Sequence, residues 1–138
     1  MPQTSKQIHV VCLVMLNDQH EIFSAKRSSN QSLADLWEFP GGKIEAGESP
    51  EHALAREIRE ELDLSIGELT ELTPVRHEYE FVTVRLAPFL WCTEDQVVRT
   101  TLREHADAIW IPVPEALNLD WAQADIPIVK EVQSLFTL

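Results

Sequence analysis

The sequence predicts an α/β fold, specifically an α/β sandwich around a mixed β-sheet. Residues 8–16 form a short run rich in Val, Leu and Ile, which is typical of a buried central strand. Residues 50–62 carry apolar side chains at helical spacing behind a clear helix start. Strand-like and helical segments mix along the chain without strict βαβ alternation, and this favours a mixed sheet.

Size and composition indicate a single domain, residues 1–138, with a sizeable core. The net charge of −12 argues against a nucleic-acid polymer or an anionic membrane as partner, since both would repel the chain. No apolar stretch approaches the roughly 20 residues of a spanning helix, and the N-terminus lacks a signal peptide's apolar core. Cys12 and Cys92 lie in apolar runs and predict buried thiols. We therefore expect a soluble cytoplasmic protein.

The first third of the chain predicts two paired strands, a polar loop and then a glycine-containing segment. Residues 17–20 favour a turn, residues 21–26 a hairpin partner strand, and residues 27–35 a polar loop. Residues 36–42 end in Pro-Gly-Gly, which suits unusual dihedral angles and close approach of the backbone to another group.

The helix over residues 50–62 has an identifiable beginning and a packing face. Ser49 is a favourable N-cap, and Pro50 suits the first helical position because its missing N–H needs no partner there. Apolar side chains recur at i, i+4 and i+8, namely Leu54, Ile58 and Leu62. We expect this face to pack on the core.

The second half of the chain predicts further strands and two helices. Residues 72–84 and 85–92 contain strand-like material, and residues 108–112 favour another strand. A short helix is expected over residues 114–119. A C-terminal helix is expected over residues 125–135, with a proline in its first turn.

Three glutamates on the first helix indicate a cation site. Glu57, Glu60 and Glu61 stand at i, i+3 and i+4, so all three project from one side of the helix. Like charges at this spacing destabilise an isolated helix by roughly a few tenths of a kcal/mol per pair. A hard divalent cation, which takes oxygen ligands, would offset this repulsion. The alternative is a solvated helix face on which Arg56 and Arg59 pair with the glutamates.

The spacing around these glutamates resembles the signature of the Nudix hydrolases. That signature runs Gly, five residues, Glu, seven residues, Arg-Glu, an apolar residue, any residue, Glu-Glu, any residue, Gly, an apolar residue. Its matching positions here are Gly42, Glu48, Arg56, Glu57, Ile58, Glu60, Glu61 and Leu64. Asp63 replaces the final glycine, where positive φ is common and Asp is better tolerated than most residues. The resemblance implies a Nudix-type α/β/α sandwich.

The resemblance also implies metal-binding and catalytic roles. Glu57 is expected to bind metal and to act as general base, with Arg56 orienting its carboxylate through a charge-assisted hydrogen bond. Glu48 is expected to pair with Arg56 or to reach a metal. Glu104 matches the spacing of a loop glutamate that supplies a further metal ligand or base, although a surface glutamate is the alternative. The implied metal ligands are the Gly41 carbonyl, Glu57, Glu60, Glu61 and Glu104.

Three residues outside the signature are implied to contact substrate. Arg27, at the end of a strand, resembles an arginine that contacts substrate, with a solvated arginine as the alternative. Phe81 could flank the base or simply pack in the core. Phe39 lies in residues 36–45, a segment that looks like the lead-in of the MutT-type nucleoside triphosphate pyrophosphohydrolases. Tyr79-Glu80-Phe81 has a MutT-like counterpart as well.

Asp125 is a candidate for base selection. It lies in Ala-Asp-Ile-Pro, which is similar to the base-contacting segment of MutT-type enzymes and matches their cytidine-preferring relatives. An ionised aspartate only accepts hydrogen bonds, so it would disfavour unmodified guanine, whose O6 and N7 are both acceptors. A protonated, desolvated aspartate would become a donor and relax this argument. Alternatively, Asp125 caps the C-terminal helix.

The resemblance thus implies an Mg²⁺- or Mn²⁺-dependent hydrolase that cleaves a (deoxy)nucleoside triphosphate, oxidised or cytidine-type, to the monophosphate and pyrophosphate. Sanitation of the nucleotide pool is the implied role. The expected partner is a small nucleotide, and the chain is expected to be a monomer or homodimer. Tyr79 leaves open a dinucleoside polyphosphate or nucleotide-sugar hydrolase. A non-catalytic Nudix-fold binding module is the remaining alternative.

Overall fold

The computed structural model describes residues 6–28, 33–80, 82–93 and 105–136. The strands are β1 (Lys6–Leu16), β2 (Glu21–Arg27), β3 (Trp37–Glu38), β4 (Gly41–Lys43), β5 (Thr70–Glu71), β6 (Val75–Glu78), β7 (Val82–Cys92) and β8 (His105–Pro112). The helices are α1 (Pro50–Leu62) and α2 (Ile126–Phe136), and 3₁₀ turns occupy Val113–Asn118 and Gln123–Asp125. The predicted α/β fold with a mixed sheet is confirmed.

The centre of the sheet is the parallel pair β1 and β7. The two strands stay in register from Lys6↔Val82 to Leu16↔Cys92. On its other side β1 pairs antiparallel with β4 and, at Leu16↔Ile22, with β2. The hairpin predicted between β1 and β2 is therefore brief, and β2 pairs mainly with β8 and β3. Where β4 pairs with β1, β1 and β2 are no longer hydrogen-bonded to each other, and this leaves a gap between them in the sheet.

Alternation along β1 divides the core into two layers. Successive strand residues point to opposite faces of a sheet. Val11, Leu13 and Met15 pack in the cluster that includes the apolar residues of α1, whereas Cys12 and Val14 pack in the cluster that includes those of α2. The sheet thus lies between the two helices, as the α/β/α expectation requires.

Helix α1 begins and ends as its sequence predicts. The Ser49 side chain accepts a hydrogen bond from His52 N–H at 3.1 Å. Asp63 adopts the left-handed conformation, with φ 53° and ψ 42°. Leu54, Ile58 and Leu62 are all buried, and each fully buried side chain of this size contributes about 1.5–3 kcal/mol. This packing holds the helix, and the glutamates on it, against the sheet.

Several local predictions were wrong. Of the two thiols expected to be buried, Cys12 is buried but Cys92 is exposed. The break expected between residues 84 and 85 does not exist, because β7 runs unbroken from residue 82 to residue 92. The short segments β3 and β4 were not predicted as strands, since each pairs over only two or three residues. The helix expected over residues 114–119 is a 3₁₀ turn, Val113–Asn118. Within the described ranges, no helix has the length and hydropathy to cross a membrane.

Candidate active site

Two adjacent glycines let β4 approach the central strand closely at one residue and the Glu57 carboxylate of α1 at the next. A Cβ atom on Gly41 would overlap the Val11 carbonyl of β1. A Cβ atom on Gly42 would occupy the position of the Glu57 carboxylate. Any side chain at either position would force these groups apart, so the Pro-Gly-Gly sequence is explained by close approach of the backbone.

Arg56 organises the carboxylates around Glu57. Its Nε and one terminal nitrogen donate to the two oxygens of Glu48 at 2.8 and 2.9 Å, which is a bidentate contact. The other terminal nitrogen donates to Glu57 at 3.0 Å and to Glu60 at 3.5 Å. Hydrogen bonding from Arg56, followed by that from the Glu45 backbone N–H, lowers the pKa of Glu48 to about 2. Of the two arrangements expected for Glu48, the structure therefore has pairing with Arg56.

The three signature glutamates lie at different depths. The Glu57 side chain is 17% exposed and that of Glu60 is 60% exposed, whereas Glu61 is 4% exposed. The three glutamates expected on one side of the helix thus differ in their access to solvent, and Glu61 is buried. Within the described part of the chain, no three Asp, Glu, His or Cys side chains are arranged to hold a metal ion. The Arg56 guanidinium forms ion pairs with both Glu57 and Glu60.

A cleft of about 660 Å³ opens beside these residues. Its apolar part comes from β1 and β7. It brings together six residues that the sequence singled out: Arg27, Phe39, Gly41, Gly42, Glu57 and Asp125. Glu57 of helix α1 and the base-contact candidate Asp125, far apart in sequence, therefore share one cavity.

Arg27 is held at the cleft by a carboxylate that the sequence did not single out. Its guanidinium donates to Glu38 at 2.9 Å, and each of the two side chains is 21% exposed. Glu38 lies on β3, and Arg27 lies at the end of β2. These two strands pair at Ala25↔Glu38. The alternative of a plainly solvated arginine is therefore wrong. The local signal for Glu38 is weak, because strand β3 has only two residues.

Asp125 lies inside the cleft as a buried carboxyl group. It is 7% exposed, and its Oδ2 accepts a hydrogen bond from the Phe39 N–H at 3.0 Å. Burial, followed by the nearby Glu38 charge, raises the pKa of Asp125 to about 8. At neutral pH the neutral acid therefore predominates, rather than the ionised acceptor. The helix-cap alternative gains no support, since the hydrogen bond spans 86 residues to Phe39.

Phe39 contributes mainly its backbone to the cleft. Its ring is 3% exposed and packs on Trp121, with ring centroids 4.7 Å apart. Aromatic stacking between Phe39 and a substrate base is therefore not available in this arrangement. Phe81 and Glu104 lie outside the described residues, so their roles stay predictions.

A family model described as the NUDIX domain matches residues 5–132. The chain belongs to the Nudix family. It is 34% identical over 132 residues to the CTP pyrophosphohydrolase of Escherichia coli, covering 94% of each chain. It is 28% identical over 130 residues to the 8-oxo-dGTP diphosphatase of Escherichia coli, covering 94% of this chain and 99% of that one. A solved MutT structure, from work on the Aliivibrio salmonicida and Vibrio cholerae proteins, has 32% identity and a TM-score of 0.74, covering 95% of this chain and 100% of that one.

Membership confirms the expectation of a Nudix hydrolase related to the MutT-type enzymes. Nudix hydrolases generally use divalent metal ions, and the candidate ligands here are all oxygen atoms, which suit a hard divalent cation. Glu57 and Glu60 already share the positive charge of Arg56. A cation bound between these carboxylates would take over part of the stabilisation that Arg56 now supplies. The chemistry of these donors thus fits such a metal ion, although their side chains are turned to Arg56 and are not gathered around one point in this structure.

Tyr79 has a structural role that sequence reasoning missed. Its hydroxyl oxygen accepts a hydrogen bond from the Ala124 N–H at 3.0 Å. It therefore contacts the turn that carries Asp125, although Tyr79 itself does not line the cleft. No local pattern could show this contact, because the two residues are 45 positions apart.

Proposed function

We propose that this protein hydrolyses a nucleoside triphosphate to the monophosphate and pyrophosphate, using Mg²⁺ or Mn²⁺. The observation that carries the proposal is the Glu57 carboxylate, which lies against Gly42 and is bonded to Arg56 at the cleft. The relatives named as a CTP pyrophosphohydrolase and an 8-oxo-dGTP diphosphatase support this reaction class. The proposed setting is the cytoplasmic nucleotide pool, with the single domain acting as a monomer or homodimer.

The chain's own residues would position water and hold the phosphate chain. Glu57 would accept a proton from the attacking water, while Arg56 and Glu48 keep its carboxylate in place. When bound at Glu57, Glu60, Glu61 and the Gly41 carbonyl, the cation would neutralise phosphate oxygens and make water more acidic. Arg27, at the cleft wall, offers a positive charge to the nucleotide phosphates.

We propose attack at the β-phosphorus, which the resemblance to MutT-type enzymes implies. A new bond then forms between the water oxygen and that phosphorus, and the bond from phosphorus to the α–β bridging oxygen breaks. The bridging oxygen leaves with the monophosphate. In ¹⁸O-labelled water, the label should therefore appear in pyrophosphate and not in the monophosphate.

We propose that Asp125 selects a base that offers an N–H donor beside an acceptor. The neutral carboxyl group can donate through its O–H and accept through its other oxygen. Cytosine presents N4–H beside N3, and 8-oxo-guanine presents N7–H beside O6. Unmodified guanine presents two acceptors, O6 and N7, at that edge. Both favoured bases agree with the substrates named for the relatives.

A substrate panel tests the proposal. The products formed from CTP, dCTP, 8-oxo-dGTP, dGTP and diadenosine tetraphosphate should be separated and quantified by anion-exchange chromatography, in Mg²⁺ and in Mn²⁺, and pyrophosphate release should be followed for the triphosphates. We expect turnover of CTP, dCTP or 8-oxo-dGTP to exceed that of dGTP, and Glu57→Gln to abolish it. Inert triphosphates with cleavage of diadenosine tetraphosphate would overturn the proposal, and so would full activity of Glu57→Gln.

The dinucleoside polyphosphate alternative relied on Tyr79. In the structure that side chain points its hydroxyl at Ala124, so it lends this alternative no support. The proposed triphosphate substrate therefore stands as the leading function.

A further inference from the structure

The turn Gln123–Asp125, which carries the base-contact candidate, is fastened to strand β3 on one side. Trp37 N–H donates to the Asp120 carbonyl at 2.8 Å, and Ala122 N–H donates to the Trp37 carbonyl at 2.8 Å. One residue beyond β3, the Phe39 N–H donates to the Asp125 carboxyl group. These contacts fix where the turn begins and what the Asp125 side chain touches.

A second set of contacts holds the same turn from the side of strand β6. The Ala124 N–H donates to the Tyr79 hydroxyl at 3.0 Å. His77 Nε2 and Gln123 Oε1 lie 3.1 Å apart. The His77 and Tyr79 rings meet edge to face, with centroids 4.5 Å apart. Residues 123 and 124, directly before Asp125, are therefore both bound to residues that belong to or follow β6.

The Tyr79 contact is suited to fixing a position rather than merely filling space. Ala124 is only 4% exposed, so its N–H has little access to water in place of the phenol. The Tyr79 backbone is itself anchored, because its N–H donates to the Val82 carbonyl at 2.8 Å where the chain enters β7. A tyrosine side chain has only two rotatable χ angles and therefore places its hydroxyl with little freedom.

The charged groups around the phenol are those of the cleft. Partial burial raises the pKa of Tyr79, and the nearby Asp125 and Glu38 charges raise it further, whereas the hydrogen bond with the Ala124 backbone and the Arg27 charge act in the opposite direction. All three of these charged residues line the cleft. The hydroxyl thus lies just behind the wall that would face a nucleotide base.

We propose that Tyr79 is a positioning residue for base recognition, acting through Ala124 to hold Asp125 against Phe39. The inference rests on the proposed function in one respect, namely that the cleft receives a nucleotide base. Removing the hydroxyl releases the Ala124 N–H and lets the turn shift, so Asp125 meets different base edges with less discrimination. Residues of the Glu57 site are untouched by this change, so the chemical step itself is spared.

The first test asks whether the contact holds the turn, and it needs no enzymatic activity. Amide hydrogen exchange should be followed by NMR in the wild type, in Tyr79→Phe and in a control, Thr73→Val. Thr73 donates its hydroxyl to Glu131 of α2 at 2.7 Å, so the control removes a hydroxyl hydrogen bond between the connection from β5 to β6 and helix α2, away from the cleft. We expect Ala124 N–H to exchange at least about tenfold faster in Tyr79→Phe only. Equal exchange in all three proteins overturns the inference.

The second test measures discrimination between bases. The dissociation constants of CTP, 8-oxo-dGTP and dGTP should be compared in a Glu57→Gln background, with and without Tyr79→Phe, and kcat and KM should be measured with Glu57 intact. We expect Tyr79→Phe to reduce the preference for the favoured base over dGTP by about 10- to 100-fold, through the Kd and KM values. The kcat for the favoured nucleotide should change by less than about threefold, and Thr73→Val should leave all values unchanged.

The two tests separate failure of this inference from failure of the proposed function. Unchanged base preference with Ala124 released would overturn the inference while the hydrolase activity stands. A wild-type protein that turns over no triphosphate would overturn the proposed function. In that case the binding ratios in the Glu57→Gln background still decide whether Tyr79 governs base preference, and lack of binding to all three nucleotides overturns both.

Discussion

The neutral carboxyl group of Asp125 predicts a specific pH dependence of stability. In the folded protein its pKa is about 8, against an ordinary value of 3.8. Between these values the native protein keeps a proton that the unfolded chain has lost. The slope of the unfolding free energy with pH follows the difference in bound protons, unfolded minus native, and this difference is here close to −1. Asp125 thus makes stability fall as pH rises, by about 1.4 kcal/mol per pH unit.

The size of the effect follows from the width of the pH window. The contribution is fully present below about pH 4 and is lost progressively until pH passes the folded pKa of about 8. Across the whole window the loss is on the order of 5 kcal/mol, and between pH 5 and pH 7.5 it is about 3 kcal/mol. Such a loss is large beside a typical domain stability of about 5–15 kcal/mol.

The substitution Asp125→Asn isolates this term. Asparagine has nearly the same shape, keeps an oxygen to accept the Phe39 N–H, and does not ionise. Urea unfolding of both proteins should be measured from pH 5 to pH 9 in the presence of EDTA, and the two free energies of unfolding subtracted at each pH. We expect the difference, wild type minus variant, to fall by about 1.4 kcal/mol per pH unit up to pH 7.5 and to level off above pH 8.5.

Thr73→Val serves as the control, because it changes no ionisable group and its stability curve should run parallel to that of the wild type. Parallel curves for Asp125→Asn and the wild type would refute the reasoning. They would mean that Asp125 is ionised in the folded protein at neutral pH. The donor-beside-acceptor account of base selection would then fail as well.

Three further substitutions test the rest of the site and its helix. Gly42→Ala should displace the Glu57 carboxylate and lower kcat by about 100-fold, while the circular dichroism spectrum stays near normal. Full activity in steady-state assays would contradict this. Glu48→Gln removes the bidentate partner of Arg56. We therefore expect the Mg²⁺ concentration for half-maximal activity to rise by about 10- to 100-fold, and an unchanged midpoint of the Mg²⁺ titration would argue against it. Asp63→Gly relieves a left-handed residue at the end of α1 and should add about 0.5–1 kcal/mol in urea unfolding with activity unchanged; a loss of stability would be the contrary result.

The parts of the molecule that the sequence predicted correctly are those specified by local signals. Ser49, Pro50 and the spacing from Leu54 to Leu62 define α1 through capping and periodicity, which act within one or two turns. Asp63 was expected to tolerate positive φ, and the structure has it there. The glutamates of the signature could also be predicted, because their spacing along helix α1 is the feature by which the signature is recognised.

The parts that sequence reasoning missed depend on contacts between distant segments. The pairing of Glu38 with Arg27 and the contact of Tyr79 with Ala124 join elements that only the folded sheet brings together. Sequence reasoning left the protonation state of Asp125 open, because it depends on burial, which no residue near it in the sequence reveals. The pairing of β1 with β2 is brief because β4 pairs with β1 instead. A strand as short as β4 has no recognisable pattern in the sequence, so this competition could not be predicted.

The backbone of residues 39–41 has a thermodynamic consequence for the cleft. The Phe39 N–H holds Asp125, the Pro40 carbonyl accepts from Leu13 N–H of the central strand at 2.9 Å, and the Gly41 carbonyl is a proposed metal ligand. Base and cation would thus act on one short, anchored piece of chain. Linkage then requires their effects to be reciprocal. If a matched base tightens cation binding by some factor, the cation tightens binding of that base by the same factor. Part of the selectivity between bases would then be measured as a difference in cation affinity between nucleotides.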